Sequence, residues 1–329
     1  MSKTGEISPR IDWQFWISVP ILAILPFIFP YTAVATNVLI IAMFATGFNL
    51  LLGYTGQVSF GHAAFYGLGA YGTGLLMVKL KAPLWMAMGG GVLTAAIGGV
   101  IIGYLSLRRS DVYFSLLTLA FSQILYFLAF QMRGFTGGDD GLRQIPFSRP
   151  FSIDLTDPLS MYYFTFVFFV VMTYIARMIL RSPFGKAMRA VKENEDRAIT
   201  IGFNTQRVKL ISFTISAIYG GLAGSLFCLH LRFVPVDVFH WTMNGEVIFV
   251  AIVGGLGTYF GPIVGSAAFL LLHDFLQVVV TRWELVVGTI LILFILFFNQ
   301  GIVGAIENRI ASYREKKAVE AQRGLTGGN

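Results

Sequence analysis

Few side chains in this sequence could do chemistry. Ser59 and His62 stand three residues apart in the run Gly53-Tyr54-Thr55-Gly56-Gln57-Val58-Ser59-Phe60-Gly61-His62, and a hydroxyl beside an imidazole is the starting material of nucleophilic catalysis. That chemistry also needs a third group to orient the imidazole and, in a hydrolase, a Gly-x-Ser-x-Gly elbow. No elbow and no third member can be identified. The four histidines are scattered without a His-Glu-x-x-His run, so they do not read as metal ligands. Cys228, the single cysteine, lies in an apolar run and leaves no disulfide framework or cysteine-based metal site within one chain. Gly185-Lys186 lacks the upstream glycine and the following hydroxyl of a phosphate-cradling loop, so no ATP site of that kind is present. There remain Glu246, and Asp274 beside His273, inside apolar stretches, where a charge at the bilayer centre costs about 2.5–3.5 kcal/mol. Each either makes an inter-helix or interfacial hydrogen bond or lines a solute route. An enzyme is not the reading; no cofactor is expected on this chain.

The elements that must position these residues are hydrocarbon-compatible. Apolar residues make up 56% of 329 and charged residues 12%, with a mean hydropathy of +0.72, where a soluble domain carries roughly 25% charge. The sequence reads as an all-α polytopic membrane protein, one transmembrane domain over 1–329 with no separate soluble domain. Its net charge of +7 is spread through loops rather than along one basic face, so nucleic acid is not an expected partner. Residues 1–12 are polar, and 13–30 is long, Pro-interrupted and without a small-residue cleavage site, an uncleaved first span rather than a signal peptide.

At about 20 residues per crossing, candidate spans are 13–30, 33–52, 61–79, 84–106, 112–132, 160–180, 210–231, 245–260, 262–280 and 285–300. The joint at 254–262 leaves the eighth and ninth open to a re-entrant reading. Positive charge sorts the loops. The 181–209 loop holds seven Lys/Arg against three acids, and Arg108, Arg109 and the tail's Arg309, Arg314, Lys316, Lys317 and Arg323 fall on its side. The 133–159 loop opposite has three Arg and four Asp; only Lys79 and Lys81 disagree. The expectation is ten helices, both termini inside, a cytoplasmic loop at 181–209 and a cytoplasmic tail at 301–329.

Small residues recur every four positions at Gly91, Ala95, Gly99 and Gly103, at Ser216, Gly220 and Gly224, and at Gly257, Gly261 and Gly265. Such stripes let helix backbones approach closely in lipid. Two glycine-punctuated segments, 53–61 and 254–261, each interrupt an apolar run. Unwound backbone is tolerated at membrane depth only beside a cavity or buried in protein, and paired breaks point to a transporter's pathway. The pathway candidates are therefore Gly56, Gln57, Ser59, Gly61, His62, Glu246, Gly254, Gly255, Gly257, Gly261 and Asp274. An internal duplication, parallel or inverted, stays open.

The run from Gly53 to Tyr71 (GYTGQVSFGHAAFYGLGAY) resembles the first signature of the LivM-type permeases, the membrane subunits of branched-chain amino-acid ABC importers. Gly254-Gly255-Leu256-Gly257-Thr258 with Gly261-Pro262-Ile263-Val264-Gly265 resembles their second signature, and RAVKENEDRAITIGFN at 189–204 their cytoplasmic coupling segment. The likeness runs from about Asn37 to Gly301. It implies a type II-like importer permease fold in a bacterial inner membrane, and as partners a homologous LivH-like permease, two cytosolic LivG/LivF-like ATPases carrying ATP and Mg, and a periplasmic amino-acid-binding protein. Urea, short amides or a sugar remain as alternative cargo, and an ion-coupled secondary transporter using Asp274 or Glu246 as a second alternative.

The 181–209 segment suits that role. Asp196-Arg197-Ala198-Ile199-Thr200-Ile201-Gly202 keeps the acid, one alanine and the glycine of the importers' Glu-Ala-Ala-x-x-x-Gly pattern, with Arg197 where the first alanine would stand. Ser182-Pro183 predicts a helix start and Gly202 its stop. Ala187, Ala190, Val191, Ala198 and Ile201 are expected to press into a partner's groove, with Lys186, Arg189 and Lys192 on its rim. The expected ATPase-coupling residues are Arg189, Glu193, Glu195, Asp196, Arg197, Ala198 and Gly202. The alternative is a solvated loop that serves topology alone.

Overall fold

The computed structural model describes residues 10–28, 31–108, 111–146, 154–279, 282–297, 301–306 and 309. Residues 1–9 and the tail's Arg314, Lys316, Lys317 and Arg323 lie outside them, as does Arg109. The helices run α1 (Arg10–Ile28), α2 (Thr32–Thr55), α3 (Ala63–Lys79), α4 (Leu84–Ser106), α5 (Asp111–Gln131), the single turn α6 (Arg133–Thr136), α7 (Pro158–Arg181), α8 (Pro183–Glu193), α9 (Glu195–Thr200), α10 (Thr205–Leu231), α11 (Trp241–Gly254), α12 (Gly261–Val279) and α13 (Trp283–Phe297). Among the described residues no strand forms, and a lone antiparallel bridge joins Leu142 to Val234. In hydrocarbon each backbone polar group must be satisfied nearby, which a helix does within itself.

Every expected span has a helix over it, but the spans are not equivalent. Six described helices, α2, α4, α5, α7, α10 and α12, are long and apolar enough to cross a bilayer. The expected span 245–260 is not continuous. Helix α11 has 14 residues and stops at Gly254, which makes it about 21 Å long against a hydrocarbon core of about 30 Å.

Helix α2 occupies the middle, with 83% of its apolar window buried, as a helix apolar all round should be. Small residues let α3, α4 and α10 close on it and on one another. A β-carbon on Gly99 of α4 would meet Ala217 of α10, and one on Gly224 of α10 would lie 1.9 Å from the carbonyl oxygen of Tyr66 on α3. The stripes of α4 and α10 thus pack inside this chain.

Polar links mark two ends of the bundle. At one end, Lys79 donates to the carbonyl of Gly134 at 3.3 Å, so this lysine is tied to the loop after α5 that the charge count set against it. At the other end lie α8, α9 and the start of α10. Here each helix opens on its own cap: Ser182 accepts from Gly185 N, Asn194 from Arg197 N and Asn204 from Arg207 N. Helices α2, α3, α4 and α11 begin without a side-chain cap.

Candidate functional site

The 182–209 segment folds into a small body of its own. Ala187, Met188, Val191, Ala198 and Val208 form a buried cluster, with Tyr54, Ile179, Phe184 and Ala190 packed against it. The apolar side of α8 therefore faces its own chain, not a partner as the sequence suggested, because α2 and α10 supply Tyr54 and Val208 to cover it. What faces outward comes later: Ile199, Ile201 and Phe203 are 53%, 64% and 39% exposed, beside exposed Glu193, Asp196 and Arg197. This knob is held by a Schellman end. Phe203 N donates to Ala198 O and Gly202 N to Ile199 O, at 3.0 and 2.9 Å, with Gly202 at φ +96° in the left-handed region. Glu195, its side chain 39% exposed, pairs with Lys209 at 2.6 Å and braces α9 to α10.

The first glycine break is an extended ribbon. Gly56 ends α2 at φ +75°, and side chains then alternate, Gln57, Ser59 and Gly61 buried and Gly56, Val58 and Phe60 exposed. Its backbone is satisfied by other helices: Ser115 Oγ of α5 donates to Val58 O (2.6 Å), Phe60 N to Thr118 Oγ1 (3.2 Å) and Ala63 N to Asn244 Oδ1 of α11 (2.7 Å). Ser59 Oγ accepts from Gly61 N. His62 follows, fully buried against Phe44, Phe48 and Phe65. Its Nε2 lies 2.9 Å from Ser216 Oγ, whose own proton goes to Gly47 O, so Nε2 carries the imidazole proton. His62 Nδ1 meets no hydrogen-bond partner among the described residues, so Ser59 is not activated by His62. Ring contacts with Phe44 and Phe48 place His62 about 10–16 Å along α2 from its Thr55 end.

The second break is a compact turn. Thr258 Oγ1 donates to Gly255 O and accepts from Gly261 N, at 2.7 and 3.1 Å. Gly254 and Gly261 are in backbone contact, and Gly265 lies against the carbonyl of Val250, so α11 and α12 form a tight hairpin. The two breaks touch. Asn49 of α2 accepts from Gly257 N (2.8 Å) and donates to Thr258 O (3.0 Å), and Tyr54 Oη donates to Gly257 O (2.8 Å). Lys192 Nζ of α8 donates to Gly53 O at 2.6 Å.

Of the pathway candidates, the structure gathers Gly56, Gly257 and their neighbours at one junction and sets Glu246 and Asp274 apart. Glu246 is half-buried on α11; Asp274 is half-exposed on α12 beside His273 at 3.3 Å. Among the described residues no three His, Cys, Asp or Glu side chains could hold a metal. Sequence reasoning missed Asn49, Tyr54, Ser115, Thr118 and Asn244. The signals were present: an amide inside an apolar run, and Ser115, Thr118 and Ser122 on one side of α5.

The family model for the permease component of branched-chain amino acid transport systems matches residues 31–296. The Escherichia coli K12 high-affinity branched-chain amino acid permease protein LivM is 27% identical over 293 residues, covering 82% of this chain and 69% of its own. The Salmonella typhimurium LivH permease is 25% identical over 295 residues, 81% of this chain and 92% of its own. A guanosine ABC transporter permease of Bacillus subtilis, NupQ, is 31% identical over 85 residues, 26% of each chain. No solved structure matches at a comparable level.

Proposed function

This chain belongs to the permease-component family of branched-chain amino acid transport systems, and on that premise we propose that it is the membrane-spanning subunit of an ABC importer carrying leucine, isoleucine and valine inward. The observation that carries the coupling part of the reading is the knob at the end of α9. Ile199, Ile201 and Phe203 are exposed on a segment whose helices open on polar caps and which carries seven Lys/Arg. An apolar patch on a water-side surface marks a contact with another protein, and the occupant is a cytosolic ATPase subunit. Two such ATPases, holding ATP and Mg, would push on α9 while a homologous permease supplies the other wall of the path and a periplasmic binding protein delivers the solute.

The same reading puts ten spans in a bacterial inner membrane with both termini, the 181–209 loop and the 301–329 tail in the cytoplasm. A zwitterion needs a polar way through lipid, and selectivity is set upstream, so weak contacts suffice. The ion-coupled alternative would need Glu246 or Asp274 as its ion site. The test is uptake by the complete complex in proteoliposomes. Leucine entry should need ATP inside the cytosol-facing compartment and survive collapse of proton and sodium gradients. Loss of uptake on gradient collapse would favour the ion-coupled reading, and guanosine or urea outcompeting leucine would change the cargo.

A further inference from the structure

Helix α2 ends at Thr55 with Gly56 in the left-handed region, which deprives the last carbonyls of α2 of helical partners. Leu52 O is taken by Gly56 N. Gly53 O is taken from outside the helix, by Lys192 Nζ at 2.6 Å, and the stem of Lys192 runs past Gly56, with Cγ 3.3 Å from where a β-carbon would stand. A cation is the favourable partner for a helix C-terminus. Lys192 as a whole is exposed, but partial desolvation of its ammonium lowers its pKa below the ordinary lysine value.

Three residues earlier on α8, the Arg189 guanidinium lies 5.6 Å from the Tyr54 ring centroid, within cation–π range. Tyr54 passes the link onward through Oη to Gly257 O, and Asn49 holds Gly257 N and Thr258 O from the neighbouring turn of α2. One stretch of α8 is therefore joined to the first break through Lys192 and, through Arg189 and Tyr54, to the second. The apolar cluster under α8 fixes its height; the polar links act on the two places where the membrane helices are unwound and so able to bend.

We propose that Lys192 and Tyr54 are positioning residues that carry displacement of the α8–α9 segment into both glycine breaks together, so that an ATPase pushing on the knob bends 53–61 and 254–261 as one unit. The inference deepens the importer reading and rests on it. Neither residue touches ATP or the ATPase knob, so the expected defect lies in the conversion of hydrolysis into uptake.

The experiment is ATP hydrolysis and leucine uptake measured together on the full importer in proteoliposomes. Absence of ATP-driven uptake by the unaltered complex would sink the importer reading itself, before any variant is compared. Given that uptake, Lys192→Met keeps the apolar stem and loses the donor, and Tyr54→Phe keeps the ring under Arg189 and loses only the hydroxyl. Each should raise the ATP consumed per leucine imported by roughly two- to thirtyfold, the span seen for residues that modulate coupling between sites. Lys192→Arg should restore most of the yield, and the double variant should be worse than either single one, since the two links run side by side from α8 to the two breaks. An unchanged ratio in Lys192→Met and Tyr54→Phe overturns the proposal. So does a parallel fall of hydrolysis and uptake with the ratio intact, the signature of mere loss of folded complex. Should Lys192→Met fail to assemble, Tyr54→Phe decides alone.

Discussion

The two glycine breaks solve the same problem in opposite ways. In 53–61 the chain opens into a ribbon, and its exposed peptide groups are met by Ser115, Thr118 and Asn244 from α5 and α11. In 254–261 it turns sharply, and Thr258 caps the turn from within while Asn49 clamps it from α2. Glycine serves different ends in each. Gly61 is there for space, because a β-carbon would sit 1.9 Å from Thr118 O; Gly257 is there for its φ of +74°, with its nearest neighbour 3.5 Å away. The lesson is that similar glycine spacing in sequence does not imply equivalent structure. The first break depends on α5 and α11 staying in register; the second depends chiefly on itself and on Asn49 and Tyr54 of α2.

That contrast can be broken, beginning with the largest effect. Gly61→Val would drive a side chain into the backbone of α5, and the folded complex should be lost, since relief requires α5 to move and overpacking alone costs about 1–3 kcal/mol or more. Recovery of a stable protein by size-exclusion chromatography after that substitution would refute the space argument. Asn49→Leu comes next. It strips the partners from Gly257 N and Thr258 O, at about 1–3 kcal/mol per buried group left unpaired, and a thermal melt in detergent reads the loss.

Gly257→Ala should cost less, about 1–2 kcal/mol, from a left-handed backbone alone; a drop as large as that of Gly61→Val would erase the distinction between the breaks. Gly202→Val, in the knob, faces open space at φ +96° and should cost a similar about 1–2 kcal/mol. Its readout is uptake, which should fall while membrane insertion stays normal. Glu195→Lys is the mildest for stability, about 0.2–1 kcal/mol for a partly exposed pair with Lys209, measured by the same melt.

Much of the architecture was readable because lipid simplifies the code. Long apolar runs gave the helices and the glycine runs located the breaks. Ser182-Pro183 marked the start of α8 and Gly202 the end of α9, but the single helix expected between them is broken at Asn194, whose side chain caps α9. The span 245–260 stayed open between crossing and re-entry because hydropathy does not report where a helix stops; Gly255 at φ +117° does. The site was less legible. Ala187 and Val191 carry an amphipathic signal that says they will be covered, but not by what, and the cover turned out to be Tyr54 and Val208. His62 stood out by type, but no pattern announced that its ring would pack among Phe44, Phe48 and Phe65. Asn49 and Lys192 act across more than a hundred residues of sequence, a distance no local pattern spans.

The covered side of α8 has a consequence for whatever protein meets its exposed end. A segment already capped and roofed by its own polypeptide has surrendered its conformational freedom beforehand. A partner arriving there would forfeit little further entropy, and the receiving surface would keep its shape between visits.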